Sequence, residues 1–148
     1  MAPPEDQLLK ADALGLWYFR LNGVFTIPNF VLHPDRPGSA RTDADIAGVR
    51  FPCRREFPPD DGGDDEWFQR HDTMPCAILA EVKTSECAIN GPWSDPARGN
   101  VNKVLSDLGL YEQDEIVSAA EESHAHGVYY GRRLSCSLFS TGMGCGAT

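Results

Sequence analysis

The stretch that most constrains this chain is Cys76-Ala-Ile-Leu-Ala-Glu81-Val-Lys83-Thr84. It reads as a β-strand in which an apolar run suddenly carries a carboxylate and an ammonium two residues apart. Residues i and i+2 of a strand point to one face. Glu81 and Lys83 are therefore expected side by side, with Val82 turned into the opposite layer. Two charges at the end of a buried strand are unfavourable unless they are paired or bind an ion. That local conflict marks a candidate site at a sheet end.

The other elements are read around this strand. Residues 4–22 predict a helix, with Leu9, Ala13, Leu16 and Trp17 as one apolar stripe and Asn22-Gly23 as the stop. Glu5 and Asp6 suit its first turn, where negative charge meets the positive end of the helix dipole. Residues 24–32 predict a strand that Pro28 confines to a sheet edge or a bulge. Residues 41–51 predict a second strand that starts polar at Asp43 and Asp45 and turns apolar after Asp45. By period two, those acids share a face. Residues 52–75 read as an acidic, Gly-rich loop insertion, and residues 76–84 as the third strand. Asn90-Gly91-Pro92-Trp93 reads as a turn. Helices are expected from a cap at Asn100 to a stop at Gly109, and again over 112–126. Residues 134–140 form a last strand in which Leu134, Cys136 and Leu138 alternate with serines, followed by a loose tail at 141–148. The expectation is a single α/β domain over 1–148, a mixed β-sheet flanked by helices in the order α-β-β-β-α-β.

Composition narrows the function. Thirteen Lys and Arg against 22 Asp and Glu leave a net charge of −9, which excludes a broadly basic nucleic-acid surface but leaves room for a local basic cleft. No apolar run has membrane-spanning length, and the opening residues lack a signal-peptide pattern, so a cytoplasmic protein is expected. The five cysteines, with no C-x-x-C pair, are expected as free thiols.

Asp45 and Glu81-Val-Lys83 stand at the ends of adjacent strands in this reading. Two carboxylates and a backbone carbonyl from Val82 suit Mg²⁺, a hard cation that takes oxygen ligands. The metal can activate a bound water, and a neighbouring lysine can orient it or stabilise developing charge. The segments Thr42-Asp-Ala-Asp45-Ile-Ala and Ile78-Leu-Ala-Glu81-Val-Lys83-Thr resemble the two halves of the PD-(D/E)XK nuclease motif. The element order resembles the restriction-endonuclease-like core over most of the chain. The resemblance implies a metal-dependent nuclease acting on DNA with Mg²⁺ or Mn²⁺. Asp45 and Glu81 become metal ligands and Lys83 the catalytic lysine. It also implies an accessory role for Glu5, and Asp43 competes with Asp45. The proline of the motif's name is absent, and the Asp45–Glu81 interval requires 52–75 to loop out. The superfamily also holds inactive members, so an interaction or scaffold module, as a homo-oligomer or in a larger assembly, is the alternative.

Plainer roles stand beside these. Glu81–Lys83 reads equally as a same-face ion pair worth about 0–1 kcal/mol. Arg50, Arg54 and Arg55 read as a phosphate grip or as a solvated strand end. His33 and His71 are expected in solvent. His124 and His126 face different ways on a helix. Trp17, Trp67 and Trp93 are expected to pack rather than stack on bases.

Overall fold

The computed structural model describes residues 10–32, 42–55, 63–84, 87–89 and 91–142. Its elements are α1 (Ala11–Leu21), β1 (Phe25–Leu32), β2 (Thr42–Arg50), α2 (Glu66–Arg70), β3 (Cys76–Lys83), α3 (Gly91–Ser94), a 3-10 turn (Pro96–Arg98), α4 (Asn100–Asp107), α5 (Gln113–His126), β4 (Val128–Tyr130) and β5 (Ser135–Gly142). The strands form one sheet in the order β1-β2-β3-β5-β4. The first three run antiparallel to their neighbours, β5 lies parallel to β3, and β4 is antiparallel to β5. A parallel pair needs a long crossover, which α3, α4 and α5 supply. The fold is thus mixed α/β, a five-stranded mixed sheet flanked by helices.

β3 is central and alternates between two cores. Cys76, Ile78 and Ala80 join Phe19, Ile46 and Phe68 under α1, with Val82 and Phe139 packed alongside. Ala77 and Leu79 join Val101, Val104, Leu105, Ile116 and Ala119 under α4 and α5. Phe19 is fully buried, a burial worth about 1.5–3 kcal/mol. It, rather than Trp17, anchors α1: the buried stripe is Ala11, Gly15 and Phe19, while Trp17 is 57% exposed and lies beneath the Arg20 guanidinium. The helix stops where expected. The Asn22 amide donates to the Tyr18 carbonyl, and Gly23 takes φ +78°.

Several expectations change. The acidic insertion contains α2, capped by the Asp65 side chain, which accepts from Trp67 N at 3.0 Å, and Phe68 from α2 is buried. Its stretch 56–62 lies outside the described residues. Of the turn expected at 90–93, Asn90 lies outside the described residues and Gly91–Trp93 belong to the helical turn α3. Gly99, not Asn100, caps α4; the buried Asn100 amide instead donates to the Pro92 carbonyl at 2.6 Å. β4 carries no sequence signal because three residues are too few for periodicity. Its pairing puts β5 inside the sheet. Ser135 and Ser137 face the layer of Cys76, opposite Cys136, and are as buried as Cys136. Thr141 and Gly142 belong to β5 rather than to a tail. No described helix is long and apolar enough to cross a membrane. Cys53, Cys76 and Cys136 are free thiols, but Cys87 is disulfide-bonded, against the expectation of five free thiols; its partner lies outside the described residues.

Candidate active site at the β2–β3 mouth

The site grows out of a break in strand pairing. β2 and β3 pair through Arg50↔Cys76 up to Ile46↔Ala80, and no further. One residue beyond, the Val82 N–H donates to Asp45 Oδ2 at 2.7 Å. A carboxylate thus takes the place of a ladder carbonyl. The β1–β2 ladder skips the same point: Pro28↔Ile46 and Phe30↔Ala44 flank Asn29, which has φ +52°. Ala44 then packs in the layer of Leu79, and Ile46 in the layer of Ile78. β2 therefore rolls at Asp45, which aims its half-buried side chain along the sheet toward β3.

Within a strand, the N–H and C=O of one residue point to the same neighbour. The Val82 carbonyl shares the side of its N–H, toward Asp45. Val82 Cβ points out of the sheet plane, into the α1 layer, where Gly15 allows close approach: a Cβ built on Gly15 meets Val82 Cγ2 at 2.8 Å. Glu81 and Lys83 share the opposite face, as period two requires. Lys83 Nζ lies 3.3 Å from Glu81 Oε2, with the Glu81 side chain 8% exposed and that of Lys83 22%. On β5, Ser140 is the register neighbour of Glu81. Ala44, Ile89, Trp93 and Leu138 wall a void of about 10 Å³ beside Glu81, the room of one water. Trp93 and Ile89 belong to the site wall; Trp93 packs, as expected, and Ile89 carried no sequence signal.

The structure brings the Asp45 carboxylate to the backbone of Val82, and Lys83 to Glu81. Asp43 is exposed on β2, and Glu5 lies outside the described residues. Hard oxygen donors from two carboxylates and one carbonyl fit a Mg²⁺-type ion in chemistry. Among the described residues, no group of three or more His, Cys, Asp and Glu side chains is placed to hold a metal.

The arginines at the end of β2 and beyond it are placed elsewhere. Arg50 is buried: it donates to Asn22 O at 2.9 Å, Asp72 Oδ1 at 2.7 Å and Asp64 Oδ2 at 2.6 Å, and lies over the Phe68 ring. Arg54 also pairs with Asp64, while Arg55 is exposed. Asp64, expected in a solvated loop, has an 8% exposed side chain. His71 is not in open solvent; it stacks on Trp67 at 4.0 Å and contacts the Trp67 carbonyl through Nδ1. His33 lies outside the described residues. No protein-family model, curated protein or solved structure matches the chain.

Proposed function

We propose that the chain is a metal-dependent nuclease that hydrolyses phosphodiesters, with DNA as substrate, on a restriction-endonuclease-like core. The observation that carries this reading is the 2.7 Å contact between the Asp45 carboxylate and the backbone of Val82, the residue between Glu81 and Lys83. An acid from one strand meets the E-x-K triplet of the next, at the point where the ladder opens. A leading helix, a three-stranded antiparallel unit and a parallel strand after a helical crossover support the same reading.

In this reading Asp45, Glu81 and the Val82 carbonyl would hold Mg²⁺ or Mn²⁺, which would supply Lewis-acid activation of a water and offset phosphate charge. Asp45 is oriented by the Val82 N–H. Lys83 is held at the mouth by Glu81, where its ammonium can orient an attacking water or meet negative charge on the phosphate. The free thiols Cys53, Cys76 and Cys136 accord with a cytoplasmic setting, and the Cys87 disulfide opposes it.

The test is plasmid and oligonucleotide cleavage with Mg²⁺ or Mn²⁺. Wild type should cut, while Asp45→Asn, Glu81→Gln and Lys83→Ala should each lose on the order of 10²-fold or more, as removal of an electrostatic catalytic group does. Wild-type cleavage no greater than that of Lys83→Ala sinks the enzyme reading. The scaffold alternative draws on the net charge of −9 and on the use of Arg50 in a buried cluster instead of a substrate grip.

A further inference from the structure

The β1 edge of the sheet holds a second feature, an open apolar groove of about 880 Å³. Phe25 and Ile27 of β1 and Phe51 after β2 form one wall, and Leu108 and Leu110 after α4 the other, with Arg20 and Arg54 among the lining residues. We propose that this groove docks an amphipathic, acidic α-helix of a partner protein.

Four observations select that occupant. Phe25, Ile27 and Phe51 are 69%, 52% and 53% exposed. Walls this open do not enclose a small molecule, whose pockets bury most of the ligand; they suit a larger body laid along them. The edge of β1 resists strand addition, because Pro28 lacks an N–H and Asn29 has φ +52°. A helix needs no edge hydrogen bonds. A four-turn helix about 10 Å wide and ~22 Å long has a half-cylinder of roughly 850 Å³, close to the groove. The fourth is charge. In a chain of net charge −9, the described residues of the lining include two arginines and no carboxylate; Arg54 is already paired with Asp64, so Arg20 carries the complementarity. Arg20 commits only its Nε, to Thr26 Oγ1 at 2.9 Å, and rests over Trp17. A second copy related by a two-fold axis sets this arginine-bearing patch against itself, whereas a helix carrying carboxylates beside its apolar stripe complements it.

The probe is a synthetic helical peptide of about four turns with leucines at i, i+3, i+4 and i+7, flanked by glutamates, and a twin with lysines in their place. Fluorescence anisotropy against the full chain should show saturable binding of the glutamate peptide and at least about ten-fold weaker binding of the lysine twin. Ile27→Asp should weaken the glutamate peptide about ten-fold, and Arg20→Glu should narrow or invert the preference between twins. Both side chains are exposed, and Phe51→Asp serves as a second apolar variant if Ile27→Asp unfolds by circular dichroism. Binding of neither peptide, equal binding of both, or indifference to the apolar variants overturns the proposal. So does a dimer in sedimentation that Ile27→Asp dissolves, which assigns the groove to a second copy.

Discussion

Replacing Arg50 with methionine tests the central energetic claim about the region below the site. The substitution keeps an apolar stem over Phe68 and removes the charge. Lost with it are the contacts to Asp72, Asp64 and the Asn22 carbonyl. The Arg50 and Asp64 side chains are 5% and 8% exposed, so this is a buried pair, and removing one partner from such a pair costs about 3–5 kcal/mol. Asp64 keeps Arg54, which places the expected loss near the lower end, ~3 kcal/mol. With a urea m-value of about 2 kcal/mol/M for a domain of this size, the midpoint should fall by roughly 1.5 M. Asp72, with its side chain 30% exposed, is the internal control: Asp72→Asn should lower the midpoint by only about 0.5 M. A midpoint shift below about 0.5 M for Arg50→Met refutes the view that this cluster ties α1, β2 and α2 together.

Three further outcomes are expected. Gly15→Ala should lower Tm by about 3–6 °C, because overpacking against Val82 outweighs the gain in helix propensity; a scanning-calorimetry Tm above wild type contradicts the close helix–strand approach. Burial pushes the Cys136 thiol from its ordinary 9.0 to about 12, and burial followed by the nearby Asp65 pushes Tyr18 from 10.0 to about 12. Both folded values are raised, so their stabilisation is complete below the unfolded values and is lost as pH rises through about 9 to 12. The Cys136 part amounts to about 2 kcal/mol by pH ~10.5; urea titrations of wild type and Cys136→Ala should differ in slope over that range. Finally, alkylation of the native protein should label Cys53 and spare Cys76 and Cys136. Non-reducing peptide mapping should recover Cys87 in a disulfide, and recovery as a free thiol contradicts the bond.

The strands that frame the site were legible because their patterns are local. The apolar turn after Asp45 and the spacing of Glu81 and Lys83 put β2, β3 and the facing of the β3 side chains in reach of period-two reasoning. Pro28 announced an edge, and β1 is one. What escaped depended on distant partners. Arg50 looked like a charge at a strand end because its carboxylates come from 14 and 22 residues further along. The serines that alternate with Leu134, Cys136 and Leu138 carry no local sign of burial, because the layer that covers Ser135 and Ser137 is that of the distant Cys76. The stripe of α1 was placed on Trp17 instead of Phe19, since both satisfy helical spacing and only the approach of Gly15 to Val82 decides the rotation. The roll of β2 at Asp45 was also invisible: the sequence paired Asp43 with Asp45 on a regular strand, and the break in the ladder separates them.

The parallel pairing of β3 with β5 bears on how the chain reaches this structure. β1, β2 and β3 follow one another and can zip up as neighbouring hairpins, so the Asp45–Val82 contact joins residues only 37 apart. Glu81 must wait for Ser140, its register neighbour at the far end of the crossover. Such non-local closure is slow because loop entropy is lost before contacts compensate. During synthesis, β3 therefore leaves the ribosome with one long apolar edge bare until α4, α5 and β5 follow. Truncation before β5 exposes that edge, and the chain then becomes a template for misassembly between nascent molecules.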